Sequence, residues 1–301
     1  MNPFAASVTT GPAAEGHSTL PATLRLGPVS LTVTDLDRSV AWYQDALGLK
    51  VRRQDPGVAV LGDDDAAVLR LHEDAQARQP GRHSGLYHYA LLFPTREELA
   101  RAALRLAAAH APIQGASDHG THEAIYLPDP DGTGIELAAD RPRDQWPSPE
   151  EEFAGGGPRP LDFDALLATV AGEEPSPRIR PGLRVGHVHL HVADVGQGLA
   201  FYRDVIGFDV WALLPSAAFV AAGGYHHHLG FNTWRGEGIG PWPGAGVVGL
   251  RHWTIVLDTV DEVAAVRERV RAAGIASEDV TGGFAVTDPF GITLRVVVAQ
   301  G

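Results

Sequence analysis

The chain has no cysteine and a single methionine among 301 residues. Without thiols, disulfides, thiolate metal sites and cysteine nucleophiles are all excluded. Basic residues are scarce too: 24 Lys and Arg stand against 37 Asp and Glu, a formal charge of -13. That balance argues against nucleic acid or an anionic membrane surface as a partner. No apolar run reaches the length that spans a bilayer, and the first residues lack the basic-then-apolar pattern of a signal peptide. A soluble cytoplasmic protein is therefore the expectation. A hydrophobic content of 44% can fill a core, and the length suits two domains of ordinary size. Histidine, by contrast, is plentiful at 14.

The histidines gather most densely in Val185-Gly-His-Val-His-Leu-His-Val192. Side chains alternate faces along a strand, so His187, His189 and His191 share one side and Val188, Leu190 and Val192 the other. Apolar residues at Val195, Leu199, Tyr202 and Ile206 then follow helical spacing, with Gly207 placed to end the helix. The same unit occurs earlier: a strand at Pro28–Val33, a cap at Asp35, and a helix through Leu36, Val40, Tyr43 and Leu47 ended by Gly48. Thr34–Gly48 matches Ala193–Gly207, and the turn Asp129-Pro-Asp-Gly132 recurs at the same offset as Asp288-Pro-Phe-Gly291. Such duplication has to be recognised before a fold is assigned. Within each half the strand–helix–strands unit occurs twice, the later copies starting near Tyr87 and Arg251.

The expected organisation is an arm over residues 1–23, a first half over 24–140, a Pro/Gly/acidic connector over 141–182 and a second half over 183–301. One short helix is expected in the connector, over Asp162–Ala171.

Five motifs carry a resemblance to a known family: Gly85–Ala90, Tyr126–Glu136, Asp140–Trp146, Gly186–Val192 and Gly223–Asn232. Together they resemble the vicinal-oxygen-chelate superfamily of glyoxalases, bleomycin-resistance proteins and extradiol dioxygenases. Within it, the set is most similar to two-domain catechol-2,3-dioxygenases of the CatE type. The resemblance implies an α+β fold of four βαβββ modules, forming two cupped mixed β-sheet barrels with helices outside. It implies an enzyme that uses Fe(II), or alternatively Mn(II), to cleave a small aromatic diol with O2. A homo-oligomer would be in keeping with it.

The resemblance also implies the site. Family ligands come from the first strands of two modules and the last strand of one of them, and here the first-strand positions fall on Pro28, His88, His187 and His252. The last-strand carboxylate position holds Glu136 in the first half and Arg295 in the second. Two imidazoles and one carboxylate, the facial set of non-haem Fe(II) oxygenases, arise only from His88, Glu136 and His187. That combination requires the second module to pair with the third, and the first with the fourth. Sequential pairing would give no complete set.

His189 is the rival for the place of His187, while His252, near Arg295, is expected to be structural. The run Tyr225–Phe231, read as the last strand of the third module, matches a motif that puts an acid/base histidine on His227. Alternation then prevents His226, His227 and His228 from all facing one cup, and a surface patch of histidines is the plainer alternative. Tyr126 and His119 match substrate-binding positions, with His122 in the same loop as a substitute for His119. A glyoxalase-type isomerase with a more carboxylate-rich shell, or a metal-free binding protein with an aromatic cup, are the competing readings. Trp234, Trp242 and Trp253 are candidates for pocket walls.

Overall fold

The structure, a computed structural model, describes residues 20–154 and 157–299. Of the expected arm, residues 1–19 lie outside the described residues. Leu20 and Leu24 are buried, so the packed chain starts within the stretch assigned to the arm.

A short strand β1 (Arg25–Leu26) precedes the first module, β2 (Val29–Val33), α1 (Leu36–Leu47), β3 (Lys50–Asp55), β4 (Val58–Gly62) and β5 (Ala67–Glu73). The second is β6 (Gly85–Phe93), α2 (Arg96–Ala108), β7 (Gly115–Asp118), β8 (His122–Pro128) and β9 (Gly134–Asp140). The connector holds a 3₁₀ turn (Arg143–Gln145), α3 (Pro149–Ala154), β10 (Arg159–Pro160) and α4 (Phe163–Ala168). The third module is β11 (Arg184–His191), α5 (Val195–Phe201) with a π turn (Tyr202–Ile206), β12 (Asp209–Leu214), β13 (Ala217–Ala221) and β14 (Leu229–Asn232). The fourth is β15 (Gly249–Leu257), α6 (Val260–Ala272), β16 (Ser277–Val280), β17 (Gly283–Thr287) and β18 (Thr293–Val298).

Helix ends follow their caps. Asp35 and Asp194 accept from the N–H groups of Arg38 and Gln197, and Thr259 forms a full capping box with Glu262. Gly48 and Gly207 take left-handed φ values of 72° and 102°, which an L side chain adopts only with strain, and there α1 and the π turn that continues α5 stop.

The modules pair across the halves. β6 of the second runs antiparallel to β11 of the third, with His88 opposite His189. β2 of the first runs antiparallel to β15 of the fourth, with Ser30 opposite His252. Each module closes its curl by pairing its first strand in parallel with its last: β2 with β5, β6 with β9, β11 with β14 and β15 with β18. The result is two open cups, joined where β1 pairs with both β11 and β15. On β6 and β9 the side chains of Tyr89, Leu91, Phe93, Leu137 and Ala139 go to the core under the helices. Those of His88 and Glu136 line a cavity instead.

A buried hydrogen bond repeats with the duplication. The Tyr43 hydroxyl donates to Asp129 at 3.0 Å and Tyr202 to Asp288 at 2.6 Å, tying a helix of one module to the turn before the last strand of the next. A bond of this kind, to a charged group, typically contributes about 1.5–3 kcal/mol. So the two modules of each half hold together at the back, through helix and turn, while the cups form between halves.

The connector is part of the packed protein. Phe153, Leu161 and Leu166 are buried, and β10 pairs with β7. It carries two short helices where one was expected.

Candidate metal centre

His88 comes from β6, Glu136 from β9 and His187 from β11, and all three are buried. The two Nε2 atoms lie 3.3 Å apart, and each is 3.1 Å from Glu136 Oε2. Among the described residues these three form the only such group of His, Asp or Glu donors. Donor atoms about 2.1 Å from an ion and at right angles to one another lie about 3.0 Å apart, so the triangle fits one face of an octahedral site. Two imidazoles and one carboxylate suit a first-row divalent metal ion.

Local sequence explains the convergence. Ala90 lies opposite Glu136 and Gly134 opposite His88. A Cβ on Gly134 would come within 2.2 Å of the Tyr87 carbonyl oxygen, so only glycine lets β6 and β9 approach this closely. On β11 the register against β6 slips between Val185 and Val188, a bulge that re-aims His187.

His189 shares the face of His187 but is held elsewhere: the Asn232 amide donates to its Nε2 at 2.9 Å, and its ring packs over Gly230. The other oxygen of Glu136 faces His122. The Thr121 hydroxyl lies 2.9 Å from His122 Nδ1, which leaves Nε2–H to donate to Glu136 Oε1 at 3.1 Å. Expected in a loop as a stand-in for His119, His122 is instead the first residue of β8 and orients the carboxylate. Burial by itself would raise the Glu136 carboxyl. The charge of His187 and hydrogen bonds from His122, His187 and His88 outweigh it and hold the group well below the usual carboxylate range.

Tyr126 pairs with Glu136 across β8 and β9, and its hydroxyl is 2.7 Å from His119 Nε2. Burial, and then the Glu136 charge, push the Tyr126 phenol well above its ordinary pKa, so it stays protonated and able to donate.

The run Tyr225–Phe231 is not one strand. Gly223 and Gly224 turn the chain at φ 62° and 65°, and β14 begins only at Leu229. Freed from alternation, His227 reaches the wall of this cup and His226 stacks on the His122 ring behind it, while His228 turns away to accept from the Ala222 N–H. The His227 ring centroid is 4.1 Å from that of His187. A chain of bonds sets its tautomer. His226 Nε2 faces Asp140 at 3.1 Å, and His226 Nδ1 faces His227 Nδ1 at 2.8 Å. With Nε2–H of His226 given to Asp140, its Nδ1 accepts from His227 Nδ1–H, and His227 Nε2 is left as a base. Burial, and then the positive potential of His187, lower the His227 pKa well below its ordinary value, so the ring is neutral.

His88, His119, His122, Tyr126, Glu136, His187 and His227 line a cavity of about 540 Å³ with Tyr87, Glu152, Phe153, Trp211, Phe219, Trp234 and Arg235. Of the three tryptophans proposed as walls, only Trp234 lines it. Trp253 is fully buried in the core, and Trp242 packs against Gly85 and Gly249 between the cups. Glu152 and Phe153 come from α3, which carries no periodic signal in the sequence. Asp140 and His226 form a pair that no spacing reveals.

Buried imidazoles make the fold sensitive to acid. Burial lowers His226 and His191 to about 4, and burial with nearby cations lowers His228 and His252 to about 3. Between their ordinary 6.5 and these values the unfolded chain binds protons that the folded chain refuses, so stability is full above 6.5 and falls as pH drops. Asp129 and Asp288, raised by burial to about 6, act in the opposite sense but are fewer. The thermal midpoint of metal-free protein is expected to fall steadily from pH 7 to pH 4.5; a flat profile would contradict this.

The chain is similar to known proteins along most of its length. A family model described as Glyoxalase/Bleomycin resistance protein/Dioxygenase superfamily matches residues 25–137 and 184–296. A protein of Bacillus subtilis (strain 168) named Catechol-2,3-dioxygenase is 39% identical over 269 residues, 88% of this chain and 93% of that protein. Biphenyl-2,3-diol 1,2-dioxygenase 3 of Rhodococcus globerulus is 30% identical over 137 residues, 43% of this chain and 68% of that protein. Among solved structures, glyoxalase I from Zea mays superposes with a TM-score of 0.56 at 17% identity, covering 92% of each chain, a likeness of fold.

Proposed function

Because the chain belongs to the Glyoxalase/Bleomycin resistance protein/Dioxygenase superfamily, we propose that it is an extradiol dioxygenase. It would cleave a catechol-type diol with O2 at a metal held by His88, Glu136 and His187. The observation that carries this reading is the triangle of two imidazole nitrogens and one carboxylate oxygen, set in the wall of an aromatic-lined cavity. The 39% identity to a catechol-2,3-dioxygenase supports it.

His88, Glu136 and His187 would hold an Fe(II) or Mn(II) ion, which would supply Lewis acidity and redox capacity for the reaction of the diol with O2. The remaining roles belong to the chain. His227 Nε2 takes a phenolic proton from the diol and later returns it, which typically contributes about 10²–10⁴-fold. Tyr126, through its protonated hydroxyl, and His119, bonded to it, hold the substrate oxygens. The rings of Tyr87, Phe219 and Trp234 give the aromatic substrate apolar walls. The carbon–carbon bond beside the diol breaks, both atoms of O2 enter the product, and a 2-hydroxymuconic semialdehyde-type compound results without an external reductant.

The test is oxygen uptake by Fe(II)-loaded protein with catechol, 3- and 4-methylcatechol and 2,3-dihydroxybiphenyl, followed by mass spectrometry of the product made under ¹⁸O₂. One O2 per diol, with both labelled atoms in a yellow ring-opened acid, is expected. An isomerase would consume none, and no uptake with any of the four diols would overturn the proposal.

A further inference from the structure

The second cup, built by β2, β5, β15 and β18, encloses a cavity of about 340 Å³ lined by Thr32, Arg70, His72, Arg251, His252 and Arg295. Strand register relates it to the first cup. Ala90 stands opposite Glu136 there, and Thr254 stands opposite Arg295 here, with a histidine two residues earlier in each first strand. Arg295 thus occupies the place of the carboxylate, and the charge of the site is inverted.

The cations in this cavity have no acid to answer them. Arg70, Arg251 and Arg295 make no ion pair among the described residues, and the polar contact of Arg251 is a long one, 3.4 Å to the Thr32 hydroxyl. Arg295 Nε and His72 Nε2 are buried without a partner. So is the hydroxyl of Ser30, which is almost fully buried and sits on the Thr32 face of β2, opposite both Arg70 and His252. The charges acting on Arg295 are those of Arg70 and Arg251, both of its own sign. Three guanidiniums in one recess of a chain with net charge -13 repel one another, and unmet donors beside them are costly.

We propose that the second cup binds a small oxyanion, a carboxylate or phosphate group, gripped by Arg70, Arg251 and Arg295. Planar guanidinium forks match both kinds of oxyanion, and Thr32 and His72, which also line the cavity, complete the donor set. The ligand answers the repulsion that the empty fold carries. Nothing in this depends on metal or diol in the first cup.

The experiment titrates the full chain with inorganic phosphate and, separately, with succinate, against sodium chloride at equal ionic strength. Heat of binding and thermal midpoint are both read. A saturable signal with at least one oxyanion and none with chloride is expected, and the tighter of the two identifies the phosphoryl or carboxylate source. Arg70→Ser, at an exposed position, and Arg295→Gln should each weaken binding by at least about ten-fold. The anion-free midpoint should stay level or rise as repulsion is relieved. Absence of saturable binding by either oxyanion, or binding unchanged in both variants, overturns the proposal. Oxygen uptake by the first cup is read separately, so a failure in one cup is not mistaken for a failure in the other.

Discussion

Glu136→Gln should abolish metal binding and ring cleavage together. Glutamine keeps the shape of the side chain but removes the charge on which His88, His122 and His187 converge. Metal affinity should fall by more than about 100-fold, since changes one shell further out already cost about 10–100-fold. Manganese is a convenient air-stable probe. It should raise the thermal midpoint of the wild-type chain by an amount that grows with the logarithm of its concentration over Kd, and leave that of the variant unmoved. The metal-free variant should be somewhat less stable than wild type at neutral pH, because the folded state favours the Glu136 charge and three imidazoles lose it. Undiminished manganese binding in Glu136→Gln would mean that another set of residues holds the ion.

His227→Phe should separate chemistry from metal binding. The ring lies against His187 but outside the ligand triangle, so the metal content should remain at the wild-type level. Loss of the base should lower kcat by about 10²–10⁴-fold with little change in KM. Asp140→Asn disturbs the same relay from its far end, through His226, and should give a smaller fall and a shifted pH profile. If His227→Phe cleaved catechol at the wild-type rate, proton transfer would have to be assigned elsewhere, with the His119–Tyr126 pair the next place to look.

The repeat of Thr34–Gly48 in Ala193–Gly207 was enough to read the modules, and capping residues fixed their helices to within a residue or two. The convergence of His88, Glu136 and His187 was legible because one carboxylate and two histidines stood at equivalent places, which in turn demanded the crossed pairing seen between β6 and β11. Other parts of the site left no trace in local pattern. Asp140 and His226 are 86 residues apart and meet only because β9 and the turn before β14 face the same cup. Alternation misled at Tyr225–His228, since two glycines with positive φ interrupt the extended chain before β14 begins. Glu152 and Phe153 reach the cavity from a six-residue acidic helix, too short for any periodicity to show which way it faces.

His88 and His187 are separated by 99 positions, and the connector lies between them. A partly synthesised chain that ends in the connector would possess Glu136 and one of the imidazoles, and lack the third donor of the proposed set. On that proposal an ion is held only after β11 has docked on β6, as a bolt drawn across a closed door. Its arrival would report that the two halves have found each other.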